Sequence, residues 1–242
     1  MTPIVLVHGF MGGSAQWSRL GSVLSQVTEV IALDLPGFGE NAHLSPINRI
    51  ESFADWVIEE THARGLQSYH LLGHSMGGMI VQEVARRDTG RVNRLVLYAT
   101  GSIGVLPGRF ETIAESKRRA AQDGAETTAR RIAATWFLEE TDSPEYPACA
   151  DIAALAHLDA LDAGLDAMEA WNGADALSAI TQKTLVIWGD QDRTYAWPQI
   201  EKLWSEIPNA TLAVIPGCAH AVHLEKPLLF EPPLLDFLFS ES

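Results

Sequence analysis

The segment Tyr69-His70-Leu71-Leu72-Gly73-His74-Ser75-Met76-Gly77-Gly78 constrains this chain more than any other. An apolar run from Tyr69 to Leu72 ends in Gly-x-Ser-x-Gly, and Met79, Ile80 and Val84 then mark one face of a helix. A strand that turns this sharply into a helix forces the apex residue into a strained backbone conformation, with its side chain standing clear of the sheet. Glycine is needed on both sides, because a Cβ at Gly73 or Gly77 would collide with the neighbouring strand and helix. The first N–H groups of the helix point back at the apex, where they would meet developing negative charge. The competing reading is a glycine-rich turn that carries a serine by chance. The strand before and the helix after favour a nucleophile at Ser75.

The chain around this segment repeats the same alternation. Ile4 to Val7 is a short continuous apolar run of the kind found in buried parallel strands. It ends in His8-Gly9-Phe10-Met11-Gly12-Gly13, a loop whose glycines let backbone N–H groups face a cavity, and Ser14 is placed to cap a helix near Gln16 to Leu24. Val27 to Leu33 reads as the second strand, running into the turn-rich Asp34-Leu35-Pro36-Gly37-Phe38-Gly39. Ile50, Phe53, Ala54, Val57 and Ile58 give one helical face. Ser68 to Leu72 and Val92 to Tyr98 are the third and fourth strands, with a helix to about Arg87 between them. The alternation predicts an α/β fold with a parallel sheet covered on both faces.

Strand signals then stop. From about 102 to 177 the chain is Ala-rich, with helical stretches at Arg109–Ala121, Ala125–Phe137 and Ile152–Trp171, punctuated by Gly124, Pro144 and Pro147. Sheet-like chain on both sides makes this a helical insertion. The expected organisation is a core of residues 1–101 and 178–242 with a helical cap of residues 102–177. The sheet resumes at Thr184–Trp188, followed by a helix over Pro198–Ile207, a strand over Ala210–Ile215 and a last helix from Lys226-Pro227. Pro232-Pro233 should interrupt that helix, since proline lacks the N–H and crowds the preceding turn.

Composition narrows the class of partner. The 242 residues fit one domain with a large insertion, and 47% hydrophobic with 20% charged residues is ordinary for a globular chain. A formal net charge of −14 argues against nucleic acid and anionic membrane surfaces. No apolar run approaches membrane-spanning length. Cys149 and Cys218 lie far apart with no metal-like spacing, so reduced thiols in the cytoplasm are expected. Met1-Thr2-Pro3 shows no basic start of a signal peptide.

A serine hydroxyl needs a base, and the base an orienting acid, both from loops at the carboxyl ends of strands. Two such loops follow the insertion: Gly189-Asp190-Gln191-Asp192, and Gly217-Cys218-Ala219-His220-Ala221-Val222-His223. Asp190 competes with Asp192 for the acid, and His223 with His220 for the base. The order Ser, Asp, His along the chain is that of one fold family.

His8-Gly9-Phe10, the Asp34–Gly39 loop, the Ser75 turn, the Gly189…Asp192 loop and the ending His220…Leu224-Glu225-Lys226-Pro227 occur in order over nearly the whole chain. Together they resemble the α/β-hydrolase fold. Within it the chain is similar to the 3-oxoadipate enol-lactonase-like esterases, on the cap motifs Gly108-Arg109-Phe110 and Ala134-Thr135-Trp136-Phe137. The resemblance implies about six mostly parallel strands, without the usual N-terminal hairpin and with Val27–Leu33 at an edge. It implies Ser75 as nucleophile, His220 as base and, from the family spacing Gly-x-x-Asp, Asp192 as acid. It places the oxyanion hole at the backbone N–H groups of Phe10 and Met76. Trp136 and Phe137 become candidate pocket walls, unless they only pin the cap to the sheet.

The implied reaction is acyl transfer from a small-molecule ester or lactone, with no metal or cofactor. Other members suggest alternatives: a C–C bond hydrolase of dienoate ring-cleavage products, a menaquinone-pathway synthase-like lyase, or a non-catalytic receptor for a small ligand. Met79 stands where the synthases usually carry an arginine. Six cap cations, Arg109, Lys117, Arg118, Arg119, Arg130 and Arg131, are expected mostly on a solvated face, unless one reaches the pocket to meet a substrate carboxylate.

Overall fold

The computed structural model describes residues 1–107 and 111–240. Gly108-Arg109-Phe110, and with it the expected helix start at Arg109, lies outside the described residues.

Six strands form one sheet: β1 (Ile4–Val7), β2 (Val30–Leu33), β3 (Tyr69–His74), β4 (Val92–Tyr98), β5 (Lys183–Gly189) and β6 (Ala210–Ile215). Their order is β2-β1-β3-β4-β5-β6 and every pairing is parallel. β2 is an edge strand but begins at Val30, not Val27. The amides of Val27 and Thr28 still bond to the Leu24 carbonyl, so the chain there is finishing the turn of the preceding helix. That helix is α1 (Ser18–Leu24), entered through a 3₁₀ turn at Ser14–Trp17. Ser14 does not cap it: its hydroxyl donates to Asp34 at 2.6 Å and its N–H to the other Asp34 oxygen at 2.8 Å.

Alternation along β1 divides the core. Val5 and Val7 face one cluster, packed with α2 (Ile50–Ala63) and α3 (Met76–Arg87) through Phe53, Val57, Ile80 and Val84. Ile4 and Leu6 face the other, with Leu20 and Leu24 of α1 and Phe230, Leu234 and Leu238 of the last helix. Near-complete burial of β1 and β3 explains why they read as unbroken apolar runs.

Between β4 and β5 the described chain is helical: α4 (Ile113–Asp123), α5 (Ala125–Ala134), α6 (Tyr146–Ala153) and α7 (Leu158–Ala170). The stretch read as one helix over Ile152–Trp171 is therefore two. The first starts earlier because Pro147 sits in its first turn, where a missing N–H costs nothing. After β5 come α8 (Trp197–Glu206), β6, the single turn α9 (Val222–Glu225) and α10 (Pro227–Phe239). Pro232 and Pro233 do not interrupt α10. The acceptors they leave without an N–H are the carbonyls of Leu228 and Leu229, residues 76% and 46% exposed, so water can bond them. Phe230, Leu234 and Leu238 meanwhile keep one face of the helix buried. Among the described residues no helix is long and apolar enough to cross a membrane.

Chain order reverses direction between β1 and β3. The loop after β1 carries Phe10 and the turn after β3 carries Ser75, so both lie at the carboxyl edge where such sheets open a crevice.

Candidate active site

Ser75 lies between β3 and α3 at φ 56°, ψ −120°, a left-handed conformation that a serine holds only when its surroundings impose it. Its N–H donates to Tyr98 O at 3.0 Å, and its carbonyl accepts from Gly78 N–H at 2.8 Å and Thr100 Oγ1 at 2.7 Å. A Cβ on Gly77 would overlap the carbonyl oxygens of Val7 and His8, and one on Gly73 the carbonyl of Gly77. Glycine at both positions lets α3 begin against β1 and β3.

The two loops beyond the insertion meet beside it. His220 Nδ1 lies 2.9 Å from Asp192 Oδ2, with the His220 side chain 2% exposed and the Asp192 side chain fully buried. The ring donates through Nδ1, which leaves Nε2 as the free lone pair. The other Asp192 oxygen accepts from Thr194 N–H at 2.7 Å and Tyr195 N–H at 3.2 Å, so the carboxylate is fully engaged. The Tyr195 ring stacks on His220 at 5.7 Å. Asp190 turns elsewhere and accepts from Gly217 N–H at 2.7 Å.

Behind His220, on the sheet side, stands a shell of buried rings. His74 is 4.6 Å from the His220 ring, and its Nε2–H donates to the His220 carbonyl at 3.2 Å. The Tyr98 hydroxyl has one proton and two acceptors in reach, the same carbonyl at 3.1 Å and His223 Nδ1 at 2.9 Å. His223 in turn donates through Nε2 to Gln16 O at 3.3 Å. Burial pushes His74 well below the ordinary histidine value, helped by the charges of His220 and His223, and pushes His223 down to about 3. Both rings are neutral spacers. Burial also raises the Cys218 thiol to about 12, which makes it a packing group and not a nucleophile.

The loop after β1 is set by His8. Its Nδ1–H donates to Gly9 O at 2.7 Å, and its Nε2 accepts from Leu35 N–H at 2.9 Å. Gly12 N–H reaches the same Gly9 carbonyl at 3.0 Å. Burial lowers His8 to about 4, so this neutral tautomer persists. The Gly9–Phe10 peptide is trans, so its N–H points opposite to the pinned carbonyl. Met76 N–H, first in α3, has no carbonyl a turn earlier on the helix to bond.

One cavity collects these groups: Gly9, Phe10, His74, Ser75 and His220 line it. Phe10, Leu106, Ile132, Trp136 and Met168 form apolar wall, while Gln16, Thr135, Thr194 and Tyr195 are its uncharged polar members. It leaves about 50 Å³ of room for the centres of water-sized molecules. Trp136 lies on it, but Phe137 does not. Phe137 is fully buried with Cys149 and Ala221 in a separate small cluster. The chain is turning tightly after α5, with Trp136 N–H on Ala133 O and Phe137 N–H on Ala134 O, so neighbouring side chains diverge.

The segment after α5 also touches both loops. Trp136 O accepts from the N–H groups of His220 at 3.1 Å and Ala221 at 2.9 Å. Glu225 accepts from Leu138 N–H at 2.8 Å with one oxygen and from Ala219 N–H at 2.7 Å with the other. Arg193, next to Asp192, donates to Leu138 O at 3.1 Å and to Glu140 at 2.7 Å. Sequence reasoning missed these contacts and the cavity roles of Gln16, Ile132, Met168 and Tyr195. Glu225 was visible only as part of the ending that follows His220, and Tyr195 only as a residue three places after Asp192.

The alpha/beta hydrolase family matches residues 4–231. A 2-hydroxy-6-oxo-6-phenylhexa-2,4-dienoate hydrolase from Burkholderia cepacia is 29% identical over 248 residues, covering 97% of this chain and 87% of its own. The chain also aligns, at 28% identity and over 98% of its length, with 63% of the dihydrolipoyllysine-residue acetyltransferase component of the acetoin cleaving system of Pseudomonas putida. Among solved structures, a thermophilic esterase from Thermogutta terrifontis superposes with a TM-score of 0.88 at 26% identity, covering 98% of this chain and 89% of that one. The enol-lactonase from Burkholderia xenovorans LB400 superposes with a TM-score of 0.89 at 22% identity, covering 98% and 91%, a likeness of fold. With its six-stranded parallel sheet, the chain belongs to the alpha/beta hydrolase family.

Proposed function

We propose that this hydrolase cleaves a carboxylic ester or lactone through an acyl-enzyme on Ser75, with His220 as base and Asp192 as the acid that orients it. One observation carries the reading: the His220–Asp192 contact at 2.9 Å opens onto the same cavity as the strained Ser75. The buried Asp192 carboxylate fixes the Nδ1–H tautomer and stabilises the imidazolium that forms when Nε2 takes the serine proton. Ser75 Oγ attacks the carbonyl carbon, and the N–H groups of Phe10 and Met76 hold the oxyanion. His220 then protonates the leaving alkoxide, and water, deprotonated by the same ring, releases the acid. Residues 102–177 act as a cap over Ser75, with Trp136 as a wall. The esterase and enol-lactonase neighbours support the reaction class.

Ser75→Ala tests this directly. It should lower hydrolysis of p-nitrophenyl acetate by about 10³-fold or more with the melting temperature unchanged, and a serine-directed phosphonate should label Ser75 in the native chain. An active Ser75→Ala protein, or labelling at another residue, overturns the assignment.

A further inference from the structure

The charges around the cavity select among substrates, an inference that rests on the hydrolase reading above. Every described cation of the helical segment between β4 and β5 is tied to a carboxylate. Lys117 pairs with Asp166, Arg118 with Glu115 at 2.6 Å, and Arg119 with Glu111 at 3.3 Å. Arg130 pairs with Glu126 at 3.0 Å and Asp151 at 2.9 Å, and Arg131 with Glu111 at 3.2 Å. Arg131 is next in sequence to Ile132, which lines the cavity, yet Arg131 turns to Glu111, whose side chain is only 7% exposed. No Lys or Arg lines the cavity among the described residues, and the polar side chains there are Gln16, Thr135, Thr194 and Tyr195 beside Ser75 and the two histidines.

A carboxylate carried into such a box would lose its water and gain no cation, which is a large penalty. The formal net charge of −14 also works against the approach of an anion. The room in the cavity for the centres of water-sized molecules is about 50 Å³, which favours a short acyl chain.

We propose that the acyl half of the substrate is small and uncharged, and that esters carrying a carboxylate on the acyl chain are excluded. Within the cavity, Gln16 is the group suited to a neutral acyl oxygen. Its amide oxygen is within 3.4 Å of Gly13 N–H, so its NH₂ is the end left to donate.

Ethyl levulinate and ethyl hydrogen succinate test the proposal, because their acyl chains match in size and differ in charge. Turnover is followed by base titration at neutral pH in the native chain and in Ser75→Ala. The expected result is Ser75-dependent turnover of the levulinate ester, with kcat/KM for the succinate ester lower by at least about 100-fold. Comparable or faster turnover of the succinate ester, lost in Ser75→Ala, overturns the proposal and leaves the hydrolase reading standing. If that turnover is also lost in Arg109→Ala, the sixth cation of the segment supplies the anion site. If neither these esters nor p-nitrophenyl acetate is turned over, the hydrolase reading fails and the proposal with it.

Discussion

His220 is held from two sides by different means. On the sheet side its ring rests against His74 and its carbonyl accepts from His74 and Tyr98, rings that pack with His223 between β3, β4 and the His220 loop, so that position there follows largely from a buried shell. On the side of the helical insertion the contacts are nearly all main chain: the Trp136 carbonyl, the Leu138 amide and carbonyl, and the side chains of Glu225 and Arg193 that reach them. Packing distributes its hold over many atoms, whereas a strap of hydrogen bonds concentrates it in a few. The sheet side should therefore resist local change and yield to conditions that alter the whole shell. The insertion side should yield to single substitutions.

The largest effect lies where neither side can compensate. Asp192→Asn keeps the shape of the acid but cannot stabilise the imidazolium, and kcat should fall by about 10³- to 10⁴-fold. Asp190→Asn retains an oxygen for Gly217 N–H and should cost less than about tenfold. Steady-state kinetics on the pair checks this, and the reverse ranking would make Asp190 the acid.

Acid breaks the sheet side at His223 and the loop after β1 at His8. His8 and His223 have folded-state values of about 4 and about 3, below the ordinary 6.5, so the unfolded chain takes up protons first as pH falls. Their contribution is complete above about pH 6.5 and drains as pH drops toward those values, at about 1.4 kcal/mol per pH unit for each ring. Urea unfolding across this window should show the loss, and His223→Gln should make the slope shallower. An unchanged slope would mean that His223 is not buried neutral.

The insertion side is sharpened by comparing two of its tethers. Glu225→Gln faces an NH₂ toward one of two N–H donors, so kcat should fall about tenfold with KM nearly constant and stability lower by about 1–3 kcal/mol. Arg193→Ala removes an exposed pair and should change kcat by less than about threefold. A larger effect at Arg193 than at Glu225 would place the main tether on the acid loop.

The same contrast explains what could be read from the chain. β1, β3, β5 and the Leu95–Tyr98 part of β4 were legible because burial on both sheet faces leaves an apolar run, β6 only from its β-branched and aliphatic run at the edge, and the Ser75 turn because its glycines have no substitute. The insertion was legible only as helical. Nothing in Ala154-Leu155-Ala156-His157 marks the break between α6 and α7 by composition. Sequence left open whether Trp136 and Phe137 are walls or anchors, because the direction of a side chain in a tight turn is not a sequence property. The neutral rings behind His220 were unreadable because His74 and His223 become spacers only once buried.

The strap bears finally on how far the insertion is a separable module. Its ends in sequence, near residues 102 and 177, suggest two clean cuts for exchange between related proteins. Residues 136–140, however, interlock with Arg193, Ala219, His220 and Glu225, which stay behind when the cuts are made. A foreign insertion grafted at those ends would have to set a main-chain carbonyl of its own against the His220 amide, and Glu225 would keep Ala219 N–H but lose its second donor unless the graft supplied one. A working chimera must carry the two loops along with the helices, so the unit of inheritance is wider than the segment that looks removable.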